Sequence, residues 1–242
     1  MLFVGNWKAY IESPQKAKAL FAAAKRVAGR KGIRIVLAPS APYLGLLAPG
    51  NRSKVAFALQ DISDSTGGAA TGEITAAAAQ ALGARYVIVG HSERRARGEN
   101  DDVVRSKTQH VLAHGMTPIL CVGEHERDAD AQYLQFIRAQ ITAVFSALSA
   151  KERTQVIIAY EPVWAIGPQA TGVITPEDLS EMILYIRKVL GEYPSVNQVL
   201  YGGSVEAGNA RSLAAGSGID GFLVGRASTD VQNLTSLIKA VS

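Results

Sequence analysis

The sequence predicts an α/β protein formed as a single closed (β/α)8 barrel of eight parallel strands. Short β-branched apolar runs recur eight times, and helical stretches separate most of them. Reactive side chains also stand after these runs instead of before them. The runs fall at residues 2–5, 34–38, 55–59, 86–89, 118–122, 156–160, 198–201 and 221–224. Their apolar character is nearly continuous, which marks strands covered on both faces. Strands alternating with helices imply right-handed crossovers and a parallel sheet. Eight repeats favour closure over an open, doubly wound sheet.

The first intervening helix shows in Ala17, Leu20, Phe21, Ala24, Val27 and Ala28, which share one face at helical spacing. Ser13 is the expected N-cap, Pro14 opens the first turn and Gly29 is the expected stop. Near the end, Thr175-Pro176-Glu177-Asp178 opens another helix with an apolar face of Leu179, Ile183, Ile186 and Leu190; Gly191 is expected to close it.

Bulk properties agree with this architecture. The chain has 242 residues, 48% apolar and 19% charged, which fits a globular protein rather than a disordered one. All-parallel barrels of about 250 residues form one unit, so residues 1–242 are expected to be one catalytic domain. One cysteine, Cys121, precludes an internal disulfide and suits a reducing cytoplasm. Met1 to Lys8 lack the basic region and apolar run of a signal peptide or membrane helix, and are expected to belong to the fold. The net charge of +4 is mild and could help to draw in an anion. Arg94, Arg95 and Arg97 cluster without interleaved aromatics, which reads as a solvated helix face and not a nucleic-acid site. No G-x-G-x-x-G opens a helix, so a dinucleotide site is not expected.

In such barrels the chemistry gathers at the carboxyl ends of the strands. There the first strand gives Asn6-Trp7-Lys8, the fourth His91-Ser92-Glu93-Arg94 and the sixth Glu161-Pro162-Val163-Trp164. The seventh gives Gly202-Gly203-Ser204 and the eighth Gly225-Arg226. A carboxylate, an imidazole and an ammonium on neighbouring rims suit proton abstraction beside a carbonyl. One takes the carbon-bound proton; the others stabilise the enediolate oxygens. Glycine-rich turns leave backbone N–H groups to cradle a phosphate. Each residue also has a plain structural reading: a lone histidine is more often structural, and His110, His114 and His125 are read so. Cys121 reads as a buried, inert thiol.

Taken with their flanks, these segments resemble the triosephosphate isomerase family. The resemblance rests on Gly5-Asn6-Trp7-Lys8, His91-Ser92-Glu93-Arg94-Arg95, the run from Ala159 through Glu161 to Gly167, and Tyr201-Gly202-Gly203-Ser204-Val205. Thr71-Gly72-Glu73-Ile74 and Cys121-Val122-Gly123-Glu124 fit in order, so the similarity spans the chain. It implies a TIM barrel that interconverts dihydroxyacetone phosphate and glyceraldehyde 3-phosphate, a step of glycolysis and gluconeogenesis, without a metal or organic cofactor. By the same resemblance Glu161 is the base, His91 the electrophile and Lys8 the cation near the substrate oxygens and phosphate. Asn6 orients the substrate, and backbone groups at Gly167, Ser204, Gly225 and Arg226 hold the phosphate. It further implies a homodimer, built through a third loop that runs from Gln60 to Ile74 and carries Thr71.

The chain departs from the family pattern in three places. The lid after Gly167 reads Pro168-Gln169-Ala170-Thr171-Gly172-Val173-Ile174-Thr175, longer than usual and without the family's lysine. Arg226 replaces a glycine, and Ala9-Tyr10 replaces a commoner pair in the first loop. The unusual lid keeps open a catalytically silent, phosphate-binding barrel. Another barrel enzyme acting on a phosphorylated metabolite is the third reading.

Overall fold

The computed structural model describes residues 1–30, 32–167 and 170–242. Eight strands close on themselves in chain order: β1 Leu2–Asn6, β2 Arg34–Ala38, β3 Val55–Leu59, β4 Tyr86–Val89, β5 Thr117–Val122, β6 Ile157–Tyr160, β7 Val199–Tyr201 and β8 Gly221–Val224. Every neighbouring pair is parallel, and β8 closes on β1 with Leu2 opposite Gly221. The expected (β/α)8 barrel is therefore observed. Its boundaries shift by one residue where pairing, not composition, decides. Asn6 still pairs with Ala38, so β1 includes it. Gln198 lies before β7, yet its carbonyl accepts the Ile158 N–H at 2.9 Å.

The continuous apolar runs divide by parity. Leu2, Val4, Val36, Ala38, Ala58, Ile88, Ile119, Cys121, Ile157, Ala159, Leu200 and Leu223 fill the barrel interior. The intervening residues, among them Phe3, Leu37, Phe57, Val87, Val89 and Phe222, face the helical layer. Both faces are removed from water, which is why no in–out alternation appears in the sequence.

The outer layer comprises α1 Pro14–Val27, α2 Ala41–Leu47, α3 Ala76–Ala81, α4 Ser92–Arg95, α5 Asp101–Ala113, α6 Gln132–Phe145, α7 Ala150–Arg153, α8 Pro176–Leu190, α9 Ala210–Ala214 and α10 Val231–Ala240. Two 3-10 turns, Val163–Ala165 and Arg226–Thr229, come after the ends of β6 and β8. Ser13 caps α1 as expected, its hydroxyl accepting the Lys16 N–H at 3.2 Å. Thr175 and Asp178 form a reciprocal capping box on α8. Gly191 closes α8 as expected, whereas α1 stops one residue before Gly29. The C-cap of α1 is Ala28 and that of α8 is Gly191, both right-handed, with φ of −68° and −64°. These helices end by tightening into i→i−3 bonds, such as Arg30 N–H to Val27 at 3.2 Å, and need no left-handed glycine.

Candidate active site

The site is built at the carboxyl end of the barrel, where three strand exits bring their side chains together. At β6, the Glu161 N–H still donates to the Val122 carbonyl at 2.8 Å, so its backbone is fixed by the sheet. Close approach of the neighbouring loop requires glycine: a Cβ on Gly123 would sit 1.7 Å from the Glu161 carbonyl oxygen. Gly202, leaving β7, presses on the Glu161 side chain, where a Cβ would come within 3.0 Å of Cγ. Glycine thus leaves room for the Glu161 backbone on one side and for its side chain on the other.

His91 leaves β4 through Gly90, whose φ of +66° suits glycine. Arg95 fixes this turn from below, donating from Nε to the Gly90 carbonyl at 2.9 Å and pairing with Asp101 at 2.6 Å. Arg94 lies 2.9 Å from Asp61. The expectation of a solvated arginine face is therefore corrected for Arg95, whose side chain is 12% exposed, while Arg94 at 42% and Arg97 do face solvent. The sequence does not reveal the carboxylate partners of Arg94 and Arg95 because those come from other segments.

The His91 ring caps α4: Nδ1 accepts the Glu93 N–H at 3.2 Å. An accepting Nδ1 puts the ring proton on Nε2, and a doubly protonated ring would turn one N–H against another. Nε2 lies 3.1 Å from Glu161 Oε1, and the Ser92 N–H donates to Glu161 Oε2 at 2.9 Å. His91 and Glu161 are both buried. In this dry setting a proton donor and a carboxylate meet with little solvent screening.

Lys8 comes just after β1 with φ of +47°, a left-handed conformation that costs a lysine roughly 1 kcal/mol. Two side chains hold it there. Asn6 Oδ1 accepts the Lys8 N–H at 3.0 Å, and Gln60 Nε2 donates to the Lys8 carbonyl at 2.8 Å. The Lys8 ammonium pairs with Glu93 at 2.7 Å. Burial pushes the Glu93 carboxyl up, but the hydrogen bond and charge of Lys8, with the charge of Arg97, outweigh it and hold it below its ordinary range. Burial, reinforced by the nearby Glu161, pushes the Cys121 thiol well up, in keeping with an inert buried thiol.

Lys8, Glu93, His91 and Glu161 therefore form one contiguous set, joined by direct contacts. Gly225 belongs to it as well, since a Cβ there would lie 3.3 Å from Lys8 Cε. Gly167, Ser204 and Arg226 follow β6, β7 and β8, are exposed, and form no hydrogen bond or ion pair with the set among the described residues. Arg226 opens the 3-10 turn Arg226–Thr229 with negative φ, so replacing glycine by arginine adds no backbone strain. Pro168 and Gln169, which carry the expected alteration of the lid tip, lie outside the described residues.

Sequence reasoning missed the parts played by Glu93, Gln60 and Gly123. Glu93 reads only as a first-turn acid, and its tie to Lys8 spans 85 positions. A cavity of about 640 Å³ lies at the other end of the barrel against Arg34, Lys54 and Arg85. Convergence of titratable groups, rather than volume, marks the site.

The family profile described as "Triosephosphate isomerase" matches residues 1–241. The chain belongs to the triosephosphate isomerase family. It is 39% identical to the triosephosphate isomerase of Marinobacter nauticus, over 99% of this chain and 96% of that protein. It is 39% identical to that of Paracidovorax citrulli, over 100% and 98% of the two chains. Against that of Thermus thermophilus, identity is 36% over 99% and 98%. The resemblance read from the strand ends thus extends over the whole chain.

Proposed function

We propose that the protein is a triosephosphate isomerase, an aldose–ketose isomerase that interconverts dihydroxyacetone phosphate and D-glyceraldehyde 3-phosphate through an enediolate, with residues 1–242 as one catalytic domain. The observation that carries this reading is the 3.1 Å approach of His91 Nε2 to Glu161 Oε1, on the rim that also holds the Lys8 ammonium.

These groups account for each step. A substrate oxygen entering beside His91 takes over the Nε2–H, which frees Glu161 Oε1. Glu161 removes the proton from one carbon and returns it to its neighbour, while the hydroxyl proton passes from one oxygen to the other by way of His91 Nε2. Charge developing on the oxygens is stabilised by the imidazole N–H and the Lys8 ammonium. Asn6 supports both substrate and Lys8. Backbone groups at Gly167, Ser204, Gly225 and Arg226 anchor the phosphate, the last at the open amino end of a 3-10 turn. Anchoring a remote group lets its binding energy orient the reacting carbons.

Incubation of the protein with dihydroxyacetone phosphate in deuterated water tests this. The reading predicts glyceraldehyde 3-phosphate, with deuterium at the exchanging carbon. Binding without exchange would instead favour a silent, phosphate-binding barrel.

A homodimer belongs to the same reading. In its support, residues 66–69 and 71–73 of the third loop stand exposed, with Thr71 among them, while the Ser63 N–H bonds Ile74 at 2.8 Å and closes the base. Gln60, at the start of this loop, supports Lys8 directly. Sedimentation at micromolar concentration is expected to give a dimer mass, and a single species of monomer mass would defeat the assignment. A cytoplasmic location is part of this reading too, and the single cysteine supports it.

A further inference from the structure

At the amino end of the barrel, opposite the rim that carries Glu161, an open cavity of about 640 Å³ is lined by Arg34, Lys54 and Arg85. Arg34 opens β2, Lys54 precedes β3 and Arg85 precedes β4, so each cation stands at the foot of a strand. Among the described residues no aspartate or glutamate lines this cavity.

The cavity exists because β3 starts early. Its residues Val55, Ala56 and Phe57 lie opposite Ile35, Val36 and Leu37 of β2, whereas pairing with β4 begins at Ala58 with Tyr86. The Arg85 N–H reaches the Phe57 carbonyl at 2.9 Å. Before that point a loop side chain stands in for a strand: Asn51 Nδ2 donates to the Val55 carbonyl at 2.8 Å. Ala56 and Tyr86 pack against the barrel interior yet are only half-buried, so they give the cavity a largely apolar floor.

The neutral polar side chains of the wall already have partners. The Ser53 hydroxyl donates to Asn51 Oδ1 at 2.7 Å, and Gln80 Nε2 donates to the His114 carbonyl at 2.7 Å. The cations are not neutralised. Arg34 donates to Gln198 Oε1, a neutral amide, at 2.7 Å, and the Lys54 and Arg85 side chains form no hydrogen bond or ion pair among the described residues. Elsewhere Arg95, Arg138 and Arg187 each hold a carboxylate. Like charges around one concave opening with apolar walls focus a positive potential there, which favours an anion.

We infer that this cavity binds a small diphosphate, free or esterified. The inference stands apart from the isomerase reading, since it uses none of the rim residues. Two linked phosphate groups spread their charge over three cations, and the guanidinium forks of Arg34 and Arg85 suit paired phosphate oxygens. An ester group would rest on Ala56 and the Tyr86 ring. The volume lies within the range of about 300–1,000 Å³ usual for small-molecule sites.

Calorimetric titration of the full-length protein at constant ionic strength tests this, with pyrophosphate, adenosine diphosphate and inorganic phosphate as probes. The wild type is compared with Lys54→Gln/Arg85→Gln and with Lys8→Met, which removes the cation of the rim. Pyrophosphate binding is expected to survive Lys8→Met and to weaken about tenfold or more in the double variant. Turnover of dihydroxyacetone phosphate by the double variant should equal that of the wild type. Tighter binding of adenosine diphosphate than of pyrophosphate assigns the site to an ester, and the reverse order assigns it to free diphosphate.

If the double variant does not fold, Lys54→Gln alone decides, because that side chain is exposed. Absence of pyrophosphate binding, affinity unchanged by loss of the amino-end cations, or binding lost only in Lys8→Met overturns the inference. Inorganic phosphate bound as tightly as pyrophosphate would overturn the assignment to a diphosphate.

Discussion

At Gly123 a single hydrogen atom decides where the base stands. A methyl group there would meet the Glu161 carbonyl oxygen at 1.7 Å, and neither backbone can yield without moving the other. Gly123→Ala is therefore expected to lower turnover by about a hundredfold through displacement of the carboxylate. It should also cost roughly 1–3 kcal/mol of stability, checked by steady-state kinetics and thermal unfolding. Glu93 carries a pH signature. Its carboxyl is held below the ordinary 4.5, so the folded state binds fewer protons there than the unfolded state. The stability contributed by the Lys8–Glu93 pair is present above that value and is lost as pH falls through the folded one. Glu93→Gln should remove this acid-side loss, seen as a flatter dependence of unfolding free energy on pH below 4.5. Lys8, His91 and Glu161 are legible in the sequence because each stands just past the end of a strand. Glu93 is visible only as a helix-start acid. Gly123 gives no sign of its role, because the backbone it avoids lies on another strand.

The strands and the longer helices are set by apolar period and cap residues, and Ser13 and Thr175 act as their chemistry suggests. The start of α6 does not. Its N-cap is Ala131 at φ of +55°, and the free N–H groups of Gln132 and Tyr133 are bonded by Asp128 at 2.8 and 3.0 Å. Alanine carries no turn signal, and the capping acid stands several residues upstream, so nothing local marks this boundary. Left-handed alanine is strained, whereas glycine is at ease there. Ala131→Gly is expected to raise stability by about 0.5–1 kcal/mol, despite glycine's greater freedom when unfolded, and to leave turnover unchanged. Equilibrium unfolding in urea gives the answer.

At the scale of the molecule, closure of the barrel joins chemistry separated in sequence. β1, β4 and β6 supply Lys8, His91 and Glu161, and closed pairing aims all three at one rim. That much is readable from the eight apolar runs and the reactive residues at their carboxyl ends. The buried charge cluster behind the rim is not. Lys107 of α5 is 2% exposed and pairs with Asp61 at 2.8 Å and with Glu99, tying the loop after β3 to the helical layer. In the sequence it is an ordinary helix lysine. Lys107→Met would leave the Glu99 carboxylate, whose side chain is 5% exposed, without its cation while Asp61 keeps Arg94, an expected loss of about 3–5 kcal/mol measurable by urea unfolding.

The central claim is that the Glu161 carboxylate and the His91 imidazole act on the same bound triose. Turnover of Glu161→Asp tests it most directly, because the shorter side chain keeps the charge but withdraws it by about 1 Å. The account predicts a fall in kcat of about a hundredfold or more while the protein remains folded. Turnover close to that of the wild type would remove Glu161 from the role of base and contradict the account.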